Sequence, residues 1–359
     1  MSVSPPSVLS EFDQVRELTA RIGSDRSLTQ ASTGNISAKF DGELWIKRSG
    51  CWMSAALRDD IFIRLNCDEV ADCLRQGLDP SDFFAGASLE TAMHAVMRHR
   101  IVVHVHSVNA IAWAVRPDAL SQIQARLAGL RWQWIPYLPS GLPLAVGIER
   151  AWKRRPDTDL FILANHGLVI GGENVESVHA LLSDVQQRLE IPPRAAHPAD
   201  HAALVSLADD SIWQLPDDEE IHSLATDAIS QRIVSRGILY PCQAIFSGSE
   251  GLETFRAIDR RCAPDYCDSQ RPFLFLDGYG VLVNQNAGAA TVGMLAGLAQ
   301  VARRLGVSVP IRYMTGTEVS SLSPEVANRY RKLASAGSVQ AGCSRPGSTP
   351  TELAGHAAT

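Results

Sequence analysis

The chain predicts an α/β fold with a degenerate second copy, and three observations carry that prediction. Apolar runs with strand character, IVVHVHS and the pair inside LFILANHGLVIGG, alternate with amphipathic helical segments. The 359 residues suffice for two units, and 45% hydrophobic against 20% charged residues supplies cores for both. Residues 160–189 align without gaps onto 273–302, pairing Leu163 with Leu276, Gly167 with Gly280, Leu168 with Val281, Leu182 with Leu295 and Gln187 with Gln300. Coincidence between two strand–turn–strand–helix units is the alternative to duplication.

The elements follow in order. Val8, Leu9, Phe12, Val15, Leu18 and Ile22 recur at helical spacing over 8–22. SLTQASTGNISAKF is loop running into strand, LWIKRSG a short strand ending in a turn, and IFIRL another strand. Over 88–99, Leu89, Met93, Val96 and Met97 share a helical face, with Ser88 as N-cap. RIVVHVHSV is a buried strand, followed by a helix at 108–114. The stretch 131–147 reads as loop-rich, and DLFILANHGLVIGG as two strands around an NHG turn. An amphipathic helix covers 173–190, and PPRAAHPADHAA reads as a linker. The expected organisation is a catalytic unit over 1–192, a linker over 193–203, a degenerate unit over 204–335 and a polar, disordered tail over 336–359.

Bulk properties exclude several roles. A net charge of -6 and a pI of about 5.9 argue against a nucleic-acid surface. The seven cysteines are scattered and form no C-x-x-C pair, so neither a disulfide framework nor a cysteine zinc site is indicated, Cys262 and Cys267 included. The start lacks a basic segment and an apolar core, and no run of about 18 apolar residues exists, so neither a secretory signal nor a membrane span is expected. A reducing cytoplasm fits this cysteine usage.

The chemistry concentrates in three histidines and a glutamate. His104 and His106 stand two apart on a strand and so share a face. His166, in the NHG turn, can complete a facial site for Zn²⁺ or another divalent metal that leaves a position open for substrate. Glu90 lies upstream in ASLETAMH. TGNIS and RSG are small polar loops able to cradle a phosphate or carboxylate, with Lys47 or Arg48 adding charge. One helical turn after Glu90, His94 reads as packing or outer support for the site, and His99 as a solvated helix end. Asp277 and Tyr279 read as structural.

Taken in order, GN-x-S, K-x-SG, S-x-E-x-x-x-H, H-x-H-S, PY-x-x-x-G and NHG make the chain resemble the class II aldolase/adducin family over roughly 8–190, most closely its long variety with a further C-terminal domain. The resemblance implies an α/β/α sandwich with a mostly antiparallel central sheet. It implies His104, His106 and His166 as zinc ligands and Glu90 as the acid/base carboxylate. It implies Gly34, Asn35, Ser49, Gly50 and Ser88 as the segments that hold a substrate phosphate, and Tyr137 as a proton donor working across a subunit interface. Asn165 would orient the turn of the third ligand. Phosphate-binding relatives often carry a second serine where this chain has Leu89. The implied activity is a zinc-dependent lyase that makes or breaks a carbon–carbon bond in a small phosphorylated ketose or hydroxy-keto acid, through a metal-stabilised enediolate. A sugar-phosphate epimerase, which would normally carry Asp at position 90, or a decarboxylase is the alternative at the same site. A noncatalytic adducin-like scaffold is a third reading, although such relatives drop the ligands this chain keeps. The expected partners are a small-molecule substrate and further copies of the chain in a dimer or tetramer, with the second unit standing where an identical subunit stands in shorter relatives.

Overall fold

The structure is a computed structural model that describes residues 10–247, 251–266, 270–322 and 331–334. The predicted tail at 336–359 lies outside the described residues.

A seven-stranded sheet organises the first half. Its strands are β1 (Asn35–Phe40), β2 (Glu43–Lys47), β3 (Phe62–Asn66), β4 (Ile101–Val105), β5 (Trp132–Ile135), β6 (Leu160–Leu163) and β7 (Gly167–Gly172), in the order β3-β2-β1-β4-β7-β6-β5. Every pairing is antiparallel except β5 with β6. Asp41 and Gly42, both at positive φ, close the β1–β2 hairpin in the backbone sense that matches strand twist. Alternation along β4 sorts the two faces. Ile101, Val103 and Val105 enter one apolar layer with Val15, Leu18, Ala110, Ile123 and Val178 from helices. Val102 enters the other, with Met93 from helix Thr91–Val96 and Leu144 and Ile148 from helix Leu142–Arg154. Helices thus cover both faces, as a sandwich requires. His104 shares the parity of Val102 and so faces the layer that carries helix Thr91–Val96.

Three local expectations change. The helix expected over 88–99 runs only from Thr91 to Val96, with Glu90 rather than Ser88 at its N-cap. Met97 is already extended and fully buried, because the chain must turn there to enter β4. The loop-rich 131–147 contains β5 and the start of helix Leu142–Arg154. That helix has no capping side chain beside it. Asp79 supplies one from a distance, its Oδ2 accepting the Leu142 N–H at 2.9 Å, and no local pattern announces such a cap. His99 is not a solvated helix end, for its Nε2 lies 3.0 Å from Asp159 Oδ1 and its ring packs on Gly171.

The second half holds a smaller sheet, β8 (Trp213–Gln214), β9 (Phe273–Leu276) and β10 (Gly280–Asn284), ordered β8-β10-β9. The β9–β10 hairpin with helix Ala289–Arg303 has the same element sequence as the β6–β7 hairpin with helix Val175–Arg188. Upstream the likeness ends. Where a counterpart of β4 is expected, helices Ala228–Arg236 and Pro241–Phe246 stand, the second with proline in its first turn. The expected linker has no helix or strand up to Asp200, yet Arg194 ties it down by donating to the Ala302 and Arg303 carbonyls and pairing with Asp227. The halves also share a core: Val108, Ile111, Ala112 and Val115 pack with Tyr240, Leu295 and Ala299. Among the described residues no helix is long and apolar enough to cross a membrane.

Candidate metal centre

β4 delivers His104 fully buried, and the chain leaves the strand with His106 on the same side. The β6–β7 turn brings His166 to them. That turn needs unusual backbone at two positions, Asn165 at φ 51 and Gly167 at φ 153. The three imidazoles meet edge to face, with centroids 4.9–5.0 Å apart. Glu90, at the N-cap of its short helix, reaches in from the layer above the sheet, and its Oε1 lies 3.2 Å from His104 Nε2. One ligand-type atom from each of Glu90, His104, His106 and His166 lies within 4.8 Å of all the others.

The separations suit a cation. His104 Nε2 and His106 Nε2 stand 3.2 Å apart. A tetrahedron built on Zn–N bonds of about 2.0–2.1 Å has an edge of about 3.3 Å. His104 donates from Nδ1 to the Leu168 carbonyl at 2.8 Å, which aims its Nε2 inward toward Glu90 and His106. Electrostatics favour a neutral donor at the other two histidines. Burial and the neighbouring imidazoles push His106 well below the usual histidine range and His166 down to about 3, so both are neutral donors. Burial opposes charge on Glu90, but His104 outweighs it and holds the carboxyl ionised. The same pairing, against burial, raises His104.

Asn35 lies directly across from His104 in the β1–β4 register. It is buried, and among the described residues its Nδ2 donor has no partner. Gly34, at φ 73, lets that loop pass within contact of the His104 carbonyl. Ser49 and Gly50 lie on the neighbouring turn, where Gly50 packs tightly against the backbone of Leu333. Lys47 joins the two loops: its buried ammonium donates to the Ser32 and Cys51 carbonyls at 3.2 and 2.9 Å, and burial lowers its pKa against the opposing charge of Glu90. Arg48 is engaged with the Phe62 carbonyl and Asp60. Ser88 is buried, and its hydroxyl accepts the Glu90 N–H at 3.2 Å, fixing the turn that aims the carboxylate. Buried His94 meets Ser37 Oγ at 2.8 Å and stays outside the ligand set. Tyr137 packs on the second half of its own chain, with the Arg312 guanidinium 5.8 Å from its ring, and burial pushes its phenol up to about 12. Asp277 is exposed in the β9–β10 turn, and Tyr279 lies under Arg260.

Sequence reasoning missed Cys242. Its Sγ lies 3.5 Å from His106 Nδ1 across 136 residues of chain, a separation no motif spans. A cavity of about 720 Å³ lies between the halves, lined by Arg26, Gln30, Trp52, Gln214, Asp218 and Gln300 rather than by the four ligands. Another group, His201, Glu219 and His222, brings ligand-type atoms together. There His222 Nδ1 accepts the Val281 N–H at 3.1 Å, so its Nε2 carries the proton and offers no lone pair to a metal.

Residues 14–191 match the family model for the class II aldolase and adducin N-terminal domain. The first half of this chain belongs to the class II aldolase/adducin family. Among curated proteins, the uncharacterized oxidoreductase YuxG of Bacillus subtilis is 28% identical over 201 residues, a match covering 49% of this chain and 29% of that protein. The chain therefore spans less than a third of that relative's length. Among solved structures, the N-terminal class II aldolase domain of a conserved protein from Thermoplasma acidophilum is 22% identical, with 52% of this chain and 95% of that chain covered at a TM-score of 0.43. The l-fuculose-1-phosphate aldolase from Thermus thermophilus is 19% identical, with 49% and 92% covered at a TM-score of 0.36. Class II aldolase family membership accounts for the order of motifs along the first half, from GN-x-S to NHG.

Proposed function

We propose that this chain is a zinc-dependent lyase of the class II aldolase type, acting on a small phosphorylated ketose or hydroxy-keto acid. The observation that carries the reading is the convergence of three histidines and one carboxylate within 4.8 Å, with His106 and His166 held neutral by burial and the glutamate ionised. When bound, a divalent ion supplies the electrophile that polarises a carbonyl and balances the negative charge developing on its oxygen. The protein's own groups do the rest. Glu90, anchored at a helix N-cap by the Ser88 hydroxyl, accepts a proton from substrate oxygen or carbon and returns it. Asn35 presents an unused amide donor on the strand beside His104, suited to a substrate oxygen. The loops at Gly34 and Gly50, joined through Lys47, offer backbone to the phosphate end. Glutamate at position 90, rather than aspartate, favours carbon–carbon chemistry over epimerisation.

The test is a screen of purified, zinc-loaded protein against ketose 1-phosphates, tetronates and 3-keto acids, with released aldehyde and released CO₂ assayed separately. His106→Ala should lose most bound zinc by elemental analysis while keeping its circular dichroism spectrum, and unchanged metal content removes the central claim. Glu90→Gln should keep zinc and lose turnover by about 10²–10⁴-fold. Full activity in that variant rules out its acid/base role.

A further inference from the structure

Both segments that carry the histidines, the end of β4 and the β6–β7 turn, are gripped by residues beyond the family-matched segment. We propose that the second half is an intramolecular clamp that sets the metal affinity of the site, with Cys242 and Arg312 as its positioning residues. The inference rests on the metal-centre reading above.

The grip on His106 is chemical. Its Nε2 faces His104 Nε2 at 3.2 Å, so the proton of the neutral ring belongs on Nδ1, a tautomer assigned from these contacts. That Nδ1 meets Cys242 Sγ at 3.5 Å, within reach of a sulfur acceptor. Cys242 therefore does for His106 what the Leu168 carbonyl does for His104: it holds the ring orientation and the tautomer from the outside. The thiol is 4% exposed and stands in the first turn of helix Pro241–Phe246. The same loop is held at its backbone. Gln30 donates to the His106 carbonyl at 3.1 Å, and Gly297 of helix Ala289–Arg303 lies so close to Gln30 that a Cβ there would come within 2.3 Å of its Cγ.

The grip on His166 runs through Asn165, the preceding residue in the left-handed region. Asn165 Nδ2 donates to the Leu239 carbonyl at 2.7 Å and to the Arg312 carbonyl at 2.8 Å, and its Oδ1 accepts from Arg312 Nη1 at 2.7 Å. A strained asparagine with its amide satisfied on both sides cannot relax without breaking charge-assisted bonds. Arg312 is itself fixed, by Glu318 and by its N–H on the Val115 carbonyl at 2.7 Å. Leu239 and Cys242 belong to one short segment, so one piece of chain touches both ligand loops. The Gln243 side chain braces that segment by accepting the Leu239 N–H at 2.7 Å.

The experiment compares full-length wild type with Cys242→Ala, Cys242→Ser, Arg312→Gln and, as control, Leu274→Ala, which lies in the separate cluster around Leu204, Trp213 and Leu282. Zinc affinity is read by competition with a chromophoric chelator, and ligand geometry by the visible absorption of the Co²⁺-loaded protein. Cys242→Ala and Arg312→Gln should each weaken zinc binding about 10–100-fold, the usual effect of losing an outer hydrogen-bond partner. Cys242→Ser should restore part of it by keeping an acceptor. Leu274→Ala should lower the melting temperature and leave zinc affinity alone. Should Cys242→Ala fail to fold, Cys242→Val keeps the volume without a strong acceptor. Affinities within twofold of wild type in both the Cys242 and Arg312 variants overturn the clamp, and so does an equal loss of zinc in Leu274→Ala. Wild type that binds no divalent ion overturns the clamp and the metal reading together, whereas zinc binding that ignores these substitutions overturns the clamp alone.

Discussion

Gly167→Ala tests whether the site is set by backbone approach between β4 and β7. Gly167 follows His166 and sits at φ 153, and an added Cβ would lie 2.4 Å from the Val105 carbonyl oxygen and 3.3 Å from His106 Cα. The first of these falls about 1 Å short of the 3.4 Å at which ordinary contact begins. Both atoms are backbone, so no side chain can swing aside. Either the end of β4 or the start of β7 must shift by about that amount, and each carries a metal ligand. The strained backbone costs about 1–3 kcal/mol. That is a fall of about 2–4 °C in melting temperature for each kcal/mol. Displacing a ligand by a fifth of the His104–His166 centroid separation of 4.9 Å should weaken zinc binding on the order of 100-fold, the upper end of what outer-partner losses cause. Gly42→Ala is the control, since Gly42 also has positive φ, at 79, but nothing within 4 Å of a Cβ. Thermal melts with and without zinc, together with chelator competition, separate the two effects. The control should lose stability only. Wild-type zinc affinity in Gly167→Ala would refute the backbone argument.

Two further outcomes are expected. Asn35→Ala should keep zinc and lose some stability, because its Oδ1 accepts the buried Ile36 N–H at 2.9 Å, while catalytic efficiency should fall about 10-fold or more, a lost hydrogen bond of about 1–3 kcal/mol from the Nδ2 donor to substrate; unchanged kinetics would exclude a substrate contact. Burial brings the Lys39 ammonium down to about 8 from 10.5, so between those pH values the unfolded chain binds the extra proton and stability should rise with pH. Lys39→Met should flatten that slope in urea titrations across the window, and an unaltered slope would contradict it.

What was legible in the sequence was local. H-x-H between valines, NHG between two apolar runs and a helix at 108–114 are patterns whose physics acts within a few residues, and the structure returns them at those positions. The hairpin and helix of the second half were legible for the same reason. What was hidden depends on distant partners. Asp79 caps a helix 63 residues away, Cys242 reaches His106 across 136, and Arg312 reaches Asn165 across 147. Asn165 illustrates the boundary. Its place in a turn could be read from NHG, but the carbonyls that satisfy its amide lie in the other half of the chain. Duplication would make the segment around Tyr240 and Gln243 a strand like β4. It is a helix start, because Pro241 favours a first turn and cannot donate to a sheet ladder.

Register explains why the site tolerates so little. Asn35, His104 and Val169 stand in line across β1, β4 and β7. Side chains of directly opposed residues project from the same face of a sheet. A slip of one residue in β4 would turn His104 into the layer of Val15 and Leu18 and bring Val103 or Val105 toward Glu90. The apolar layer on the far face prevents it. Val103 and Val105 are fully buried against one helical layer and Val102 against the other, so a slip would expose none of them but would place an imidazole among aliphatic side chains without a partner. The apolar residues around the histidines are thus part of the metal site. They fix which face each imidazole takes, and the NHG turn and the second half then set how closely His106 and His166 approach it.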